Sequence, residues 1–204
     1  VAAGRDARVL AYTPGLDDRL FDHDGQITKR EVRALTLSAL APKRGELLWD
    51  IGAGSGSIGI EWMLADPSLK AIAVEGHAER ADRIRRNAGR FGVPRLVVVE
   101  GTAPEALAGL VAPDAIFIGG GGSEAGVVEA AIGALKPGGR LVANAVTTEM
   151  EAVLLALHAG LGGALIRIDI TRAAPVGQMT GWRPAMPVTQ WSWVKPANDP
   201  EEKT

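Results

Sequence analysis

The run Asp50-Ile-Gly-Ala-Gly-Ser-Gly56 follows the apolar Leu47-Leu-Trp49 and leads into a segment carrying Ile58, Ile60, Trp62, Met63 and Leu64. Glycines at alternate positions suit neither a strand interior nor a helix, so the chain must turn sharply here from a buried strand into a buried helix. One such unit cannot cover its own apolar surface, and the pattern duly repeats. Ala71–Val74 is a second strand, followed by Ala81, Ile84, Ala88 and Phe91 at helical spacing, with Arg80, Arg83, Arg86 and Arg90 on a face expected to be solvated. Leu96–Val99 is a third strand, Pro104–Leu110 a short helix, and Ala115–Ile118 a fourth strand entering Gly119–Gly122. A helix over 124–136 stops at Lys136-Pro-Gly-Gly139, Leu141–Val146 is a fifth strand, and Thr148–Glu151 opens a helix that ends near Gly160. Upstream, Thr28-Lys-Arg-Glu31 has the spacing of a capping box and predicts a helix starting near Thr28.

Strands alternating with helices make a parallel sheet covered on both faces, because each parallel crossover has to pass over the sheet. The end of the chain breaks the alternation. Leu165–Ile170 and Thr189–Val194 read as strands, but the 18 residues between them hold Pro175, Gly177, Gly181, Pro184 and Pro187, where no helix fits. An antiparallel pair at the sheet edge follows, with a long loop available to cover a ligand or meet a subunit. The expectation is a doubly wound, Rossmann-like α/β fold: a mostly parallel seven-stranded sheet with an antiparallel last strand. With 204 residues, 47% of them hydrophobic, one domain suffices, placed at 26–196 with a tail at 197–204. Residues 1–25 open on Val1 and mix charge, Pro14 and Gly15 without periodicity, which predicts a linker or extension from an upstream domain.

Several classes of function drop out. A net charge of -2 with no dominant Lys/Arg patch lacks the footprint of a nucleic-acid binder. There is no Cys, and His23, His77 and His158 lie far apart, so no metal is expected. No apolar run approaches the roughly 20 residues of a membrane span, and Arg5, Asp6 and Arg8 stand where a signal sequence would be apolar. The cytoplasm is the expected compartment.

Gly54, Gly56 and Gly59 spell a literal G-x-G-x-x-G, the pattern of dinucleotide sites. The register differs, however: Gly52 comes first, Ser57 stands where the third glycine belongs, and Asp50 places a carboxylate where it would repel pyrophosphate. That charge suits S-adenosylmethionine, which carries an ammonium and a sulfonium and no phosphate. The bare loop Gly52-Ala53-Gly54-Ser55-Gly56 would supply backbone amides, and Glu75, ending the second strand, would accept both ribose hydroxyls. Ala103, in Gly101-Thr-Ala103 after the third strand, would reach the adenine edge. A packed turn and a solvated helix cap account for these features singly. They do not account for all of them on consecutive strand ends, where the crevice of such a sheet lies. Trp49 and Trp62 are expected in the core, and Trp182 against a ligand or a neighbouring subunit.

More specific are Phe21-Asp-His-Asp-Gly-Gln-Ile-Thr-Lys-Arg-Glu-Val-Arg33, Leu48–Trp62, Pro113-Asp-Ala-Ile-Phe-Ile-Gly-Gly-Gly121 and Val142-Ala-Asn-Ala-Val-Thr147. Over about 20–195 the chain resembles the decarboxylating precorrin-6Y methyltransferases of cobalamin biosynthesis. That resemblance implies a second domain that methylates C15 of the macrocycle and removes carbon dioxide from the C12 acetate, behind an upstream methyltransferase domain on the same polypeptide. It also implies a homotetramer, and by position it makes Thr28, Gly52–Gly56, Glu75 and Ala103 cofactor contacts.

A tetrapyrrole rich in carboxylates needs cationic or amide donors at the pocket mouth, for which Arg172, Gln178 and Arg183 are candidates. Asn144 and Thr147, at the end of the fifth strand, are candidates nearer the reacting carbon. No strong general base is expected, because the ring supplies the nucleophile. Other readings remain open: a methyltransferase acting on RNA or a protein carboxylate, a cofactor-binding assembly module without chemistry, and a nicotinamide dehydrogenase.

Overall fold

The computed structural model describes residues 10–197. The tail expected at 197–204 lies almost wholly outside them, as do the first nine residues of the expected linker. Seven strands form one sheet: β1 (Leu47–Ile51), β2 (Lys70–Glu75), β3 (Val97–Glu100), β4 (Ala115–Ile118), β5 (Arg140–Ala145), β6 (Ala164–Ile168) and, last among the described residues, Val188–Val194. Between the final two comes a separate antiparallel ribbon, so the ribbon strands are β7 (Thr171–Val176) and β8 (Met179–Pro184), and the last sheet strand is β9. The order is β3-β2-β1-β4-β5-β9-β6, parallel through β5, with β9 antiparallel to both of its neighbours. The expected architecture is therefore the one found.

Residue alternation along the strands builds two cores, since successive side chains face opposite sides of a sheet. Leu48, Ala73, Phe117 and Val142 face α1 (Arg30–Leu40), α2 (Ser57–Ala65) and α3 (Ala78–Arg90). Trp49, Ile51, Ile116, Leu141 and Ala143 face α4 (Val127–Ala134) and α5 (Thr148–Leu161). Trp49 and Trp62 are both fully buried, as expected, and each indole N–H donates to a backbone carbonyl, of Val111 and Lys70 respectively. The C-terminus of α4 is closed from across the sheet, where the Lys195 ammonium donates to the carbonyls of Ile132 (2.8 Å) and Leu135 (2.7 Å).

Four local expectations change. The capping box at Thr28 does not form: α1 starts at Arg30, its N-cap Lys29 makes no side-chain cap, and Glu31 turns to Arg172. The helix expected over Pro104–Leu110 is a single 3-10 turn at Glu105–Leu107, since Gly109 at φ +76 and Leu110 leave the spiral. The long loop expected between the last two strands is the β7–β8 ribbon, turning at Gly177, so proline and glycine there mark a tight hairpin. The arginine face of α3 is not merely solvated. Arg80 pairs with Asp24, Arg86 with Asp22, and Arg83 with both.

Residues 15–28 are tied to the domain. The Glu61 carboxylate accepts the N–H of Gly15 (2.6 Å) and Leu16 (3.0 Å) and the Nε of Arg33 (2.6 Å). Arg33, wholly buried, also donates to Asp18 and to the carbonyls of Leu16 and Thr28. A buried charge is tolerable only when paired and hydrogen-bonded in this way.

Candidate active site

The carboxyl ends of β1, β2, β4 and β5 open into one cleft of about 650 Å3. Its walls are the loop Gly52-Ala53-Gly54, Glu75 to His77, Gly101 to Ala103 and Gly119 to Gly121, with Gly25 to Lys29 across the mouth. Ile168, Ile170, Met186 and Val188 close the far side.

The loop needs glycine for more than one reason. Gly52 has φ +68, and a Cβ there would stand 2.5 Å from the carbonyl oxygen of Gly120. Gly54 has φ +58, and its Cβ would stand 3.0 Å from the carbonyl oxygen of Gln26. Both conformation and space therefore exclude a side chain, and the backbone is left bare toward the cleft.

Glu75 is buried yet lines the cleft, its two oxygens accepting the N–H of Gly54 (2.8 Å) and of His77 (3.0 Å). Each oxygen keeps a free lone pair, which is what a vicinal diol requires. Asp50 behaves differently. It is 1% exposed and does not line the cleft; its Oδ2 accepts the N–H of Gly59 (2.9 Å) and its Oδ1 has no partner. Burial pushes its carboxyl up to about 7, the Gly59 bond opposes the rise, and the Glu75 charge adds to it. Asp50 thus lies behind the loop, bonded to α2 through Gly59, and is no direct contact for a ligand in the cleft. An unpartnered buried carboxyl oxygen, a carboxylate facing a diol position and amides free of side chains fit S-adenosylmethionine. A pyrophosphate would meet the Glu75 carboxylate.

Of the other residues expected in the cofactor site, Thr28, Gly52, Ala53, Gly54 and Ala103 line the cleft. Ser55 and Gly56 do not: Ser55 is buried, with its carbonyl accepting from Asn87 (3.0 Å), and Gly56 is the N-cap of α2 against Ile84. Among the substrate candidates, Asn144 lines the cleft, and Arg172 does so while paired with Glu31. Thr147 instead caps α5, accepting the N–H of Met150 (3.3 Å), and Arg183 and Gln178 belong to the ribbon and do not line the cleft. Trp182 is 77% exposed on β8 and does not line the cleft.

Gln26, Lys29, Gly119, Gly120 and Gly121 line the cleft without having been assigned to it. For the glycines the signal was available: a second glycine run directly after a parallel strand falls on the same sheet edge as the first. Gln26 and Lys29 arrive by the Asp22/Asp24 pairing with α3, which no local pattern announces.

This sheet order, with a glycine loop after β1 and an acidic residue ending β2 over a shared cleft, defines a class I S-adenosylmethionine-dependent methyltransferase. Within that class the chain belongs to the precorrin methyltransferase domain family, whose model matches residues 19–195. It is 76% identical over 195 residues to a precorrin-6Y C(5,15)-methyltransferase [decarboxylating] of Sinorhizobium sp, covering 96% of this chain and 47% of the relative. It is 35% identical over 166 residues to the cobalt-precorrin-6B C(15)-methyltransferase (decarboxylating) of Salmonella typhimurium, covering 79% of this chain and 85% of that one. The crystal structure of the C-terminal domain of precorrin-6Y C5,15-methyltransferase from Rhodobacter capsulatus superposes with a TM-score of 0.86 at 52% identity, covering 91% of this chain and all of that one. The chain spans about half the length of the relative from Sinorhizobium.

Proposed function

We propose that this chain methylates C15 of a precorrin and removes carbon dioxide from the C12 acetate. The observation that carries the C15 assignment is one of length. The chain aligns with less than half of the C(5,15) relative but with 85% of the relative named for C(15) alone.

The chain's own part in such a reaction is positioning. Glu75 and the glycine loop would fix the cofactor, which supplies the methyl group. Asn144 and Arg172, which both line the cleft, would orient the macrocycle. The new C–C bond draws its electrons from the macrocycle's enamine system as the methyl–sulfur bond breaks, so no side-chain nucleophile is needed. Alignment of this kind is worth up to roughly 7 to 11 kcal/mol. Loss of carbon dioxide leaves its electron pair on the conjugated ring, and the cleft's apolar walls at Ile168, Ile170 and Met186 would desolvate the departing carboxylate.

The same reading includes an upstream methyltransferase domain on the polypeptide, a cytoplasmic setting and a homotetramer. Val176, Met179, Trp182 and Met186, exposed on and beside the β7–β8 ribbon, would be covered by a neighbouring subunit. No helix among the described residues is long and apolar enough to cross a membrane. Incubation with the precorrin and S-adenosylmethionine, followed by mass analysis, tests the activity. One methyl gained and one carbon dioxide lost is expected. Cofactor binding without turnover would favour an assembly module instead.

A further inference from the structure

Asn144 does not stand alone at the end of β5. Its Nδ2 donates to Thr36 Oγ1 (3.0 Å), and its Oδ1 accepts from Gln190 Nε2 (2.9 Å). Gln190 Nε2 also donates to Thr36 Oγ1 (3.0 Å), closing a three-membered ring of side chains drawn from β5, α1 and β9. Thr36 and Gln190 are fully buried, and neither lines the cleft; Asn144 alone of the three does. Asn144 and Gln190 are register partners across the β5–β9 pair, so the backbone ladder sets the spacing of the two amides.

Stability does not explain this ring. Three polar side chains buried between a helix and a sheet at best offset their own desolvation, and apolar residues of similar shape would pack there as well. The ring does restrict Asn144 to one orientation. Both protons of Gln190 Nε2 are used, and Thr36 Oγ1 accepts twice. Asn144 keeps one N–H and one Oδ1 lone pair without a partner among the described residues.

The geometry points to Thr36 and Gln190 as positioning residues that hold the Asn144 amide as a fixed neutral donor for a substrate carboxylate. This inference rests on the methyl-transfer function proposed above. A neutral amide orients a carboxylate without the strong ground-state hold of an ion pair, and a donor pinned from two sides keeps the reacting carbon in line with the methyl group.

A double-mutant cycle with the precorrin and S-adenosylmethionine tests this. Asn144→Ala should lower kcat at least tenfold. Thr36→Val, which keeps shape but removes the acceptor, should give a similar loss with the KM for S-adenosylmethionine within twofold of wild type. Thr36→Ser should regain most of that loss, and Thr36→Val/Asn144→Ala should be no slower than Asn144→Ala alone. Gln190→Leu supports the same comparison should the valine variant not fold. Additive losses, a wild-type kcat in Thr36→Val, or a loss that serine does not regain would each overturn the inference with the functional reading intact. A wild-type chain that turns over no precorrin would sink both.

Discussion

Glu75 accepts the backbone N–H of Gly54 at 2.8 Å, so the carboxylate that faces the ribose position also fixes the loop on which the rest of the cofactor would rest. Glu75→Gln replaces one of the two acceptor oxygens with a donor, leaving either Gly54 or His77 facing an N–H. Calorimetry should show S-adenosylmethionine binding weakened at least tenfold, which corresponds to about 1.4 kcal/mol. An unchanged Kd would remove Glu75 from the site.

Asp50 makes stability depend on pH in an unusual direction. In the unfolded chain its proton leaves near 3.8, whereas burial holds it in the folded state to about 7. Between these values the folded state binds the extra proton, so this group's contribution falls as pH rises from about 4 to 7 and is level above that. At 1.36 kcal/mol per unit the whole change is on the order of 4 kcal/mol. Asp50→Asn should abolish it. Urea denaturation of both proteins at pH 4.5, 6 and 8 reads the difference, and parallel pH profiles would contradict the assignment.

The Arg33–Glu61 pair is buried on both sides, and removing the Glu61 charge leaves the buried Arg33 only the partly exposed Asp18 as counter-charge. Glu61→Gln should cost about 3 to 5 kcal/mol. It should also loosen residues 15 and 16, whose N–H groups end on that carboxylate. Thermal melting and proteolysis near Gly15 report the two effects, and a melting temperature within a degree of wild type would refute the first.

The segment crossing the cleft mouth is held by the ion pairs of Asp22 and Asp24 with α3, together with Asn87, which bonds the backbone N–H and carbonyl of Asp22. Hydrogen bonding from Arg80 holds the Asp24 carboxyl well below its usual range. Asp22→Asn/Asp24→Asn should raise the Kd for S-adenosylmethionine a few-fold at 50 mM salt, with the difference shrinking at 500 mM as the wild-type pairs are screened. A difference independent of salt would mean that charge is not what holds the segment.

What the sequence revealed and what it hid divide along a physical line. The strand ends, the glycine turn and Glu75 were legible because they follow from short-range rules: apolar runs of strand length, alternate glycines, and an acid where a parallel strand stops. Asp50 was placed on the right strand end but with the wrong outlook. Its side chain turns beneath α2 toward Gly59, nine residues on, and only the packing of helix on strand decides that. Thr28 looked like a helix cap and instead gives its carbonyl to Arg33, because Arg33 is anchored by Glu61 from another helix. Gln26 and Lys29 reach the cleft through contacts between Asp24 and Arg80, 56 residues apart. The wall bearing Asn144 is more remote still, since Thr36 and Gln190, which hold it, are separated by 154 residues.

That separation bears on how the protein is made. Of the described strands β9 is the last to leave the ribosome, yet its place is inside the sheet, between β5 and β6. Until Val188–Val194 arrives, β6 has no neighbour and β5 ends the sheet as an open edge, with Trp191 missing from the core. The half of the molecule bearing Gly52–Gly56 and Glu75 can pair its strands from nascent chain already in hand, whereas the wall bearing Asn144 awaits the last ten described residues. A polypeptide cut short before Val188 would therefore lack the wall proposed to seat the macrocycle, and synthesis itself imposes an order in which the glycine-loop side of the cleft is ready before the Asn144 side.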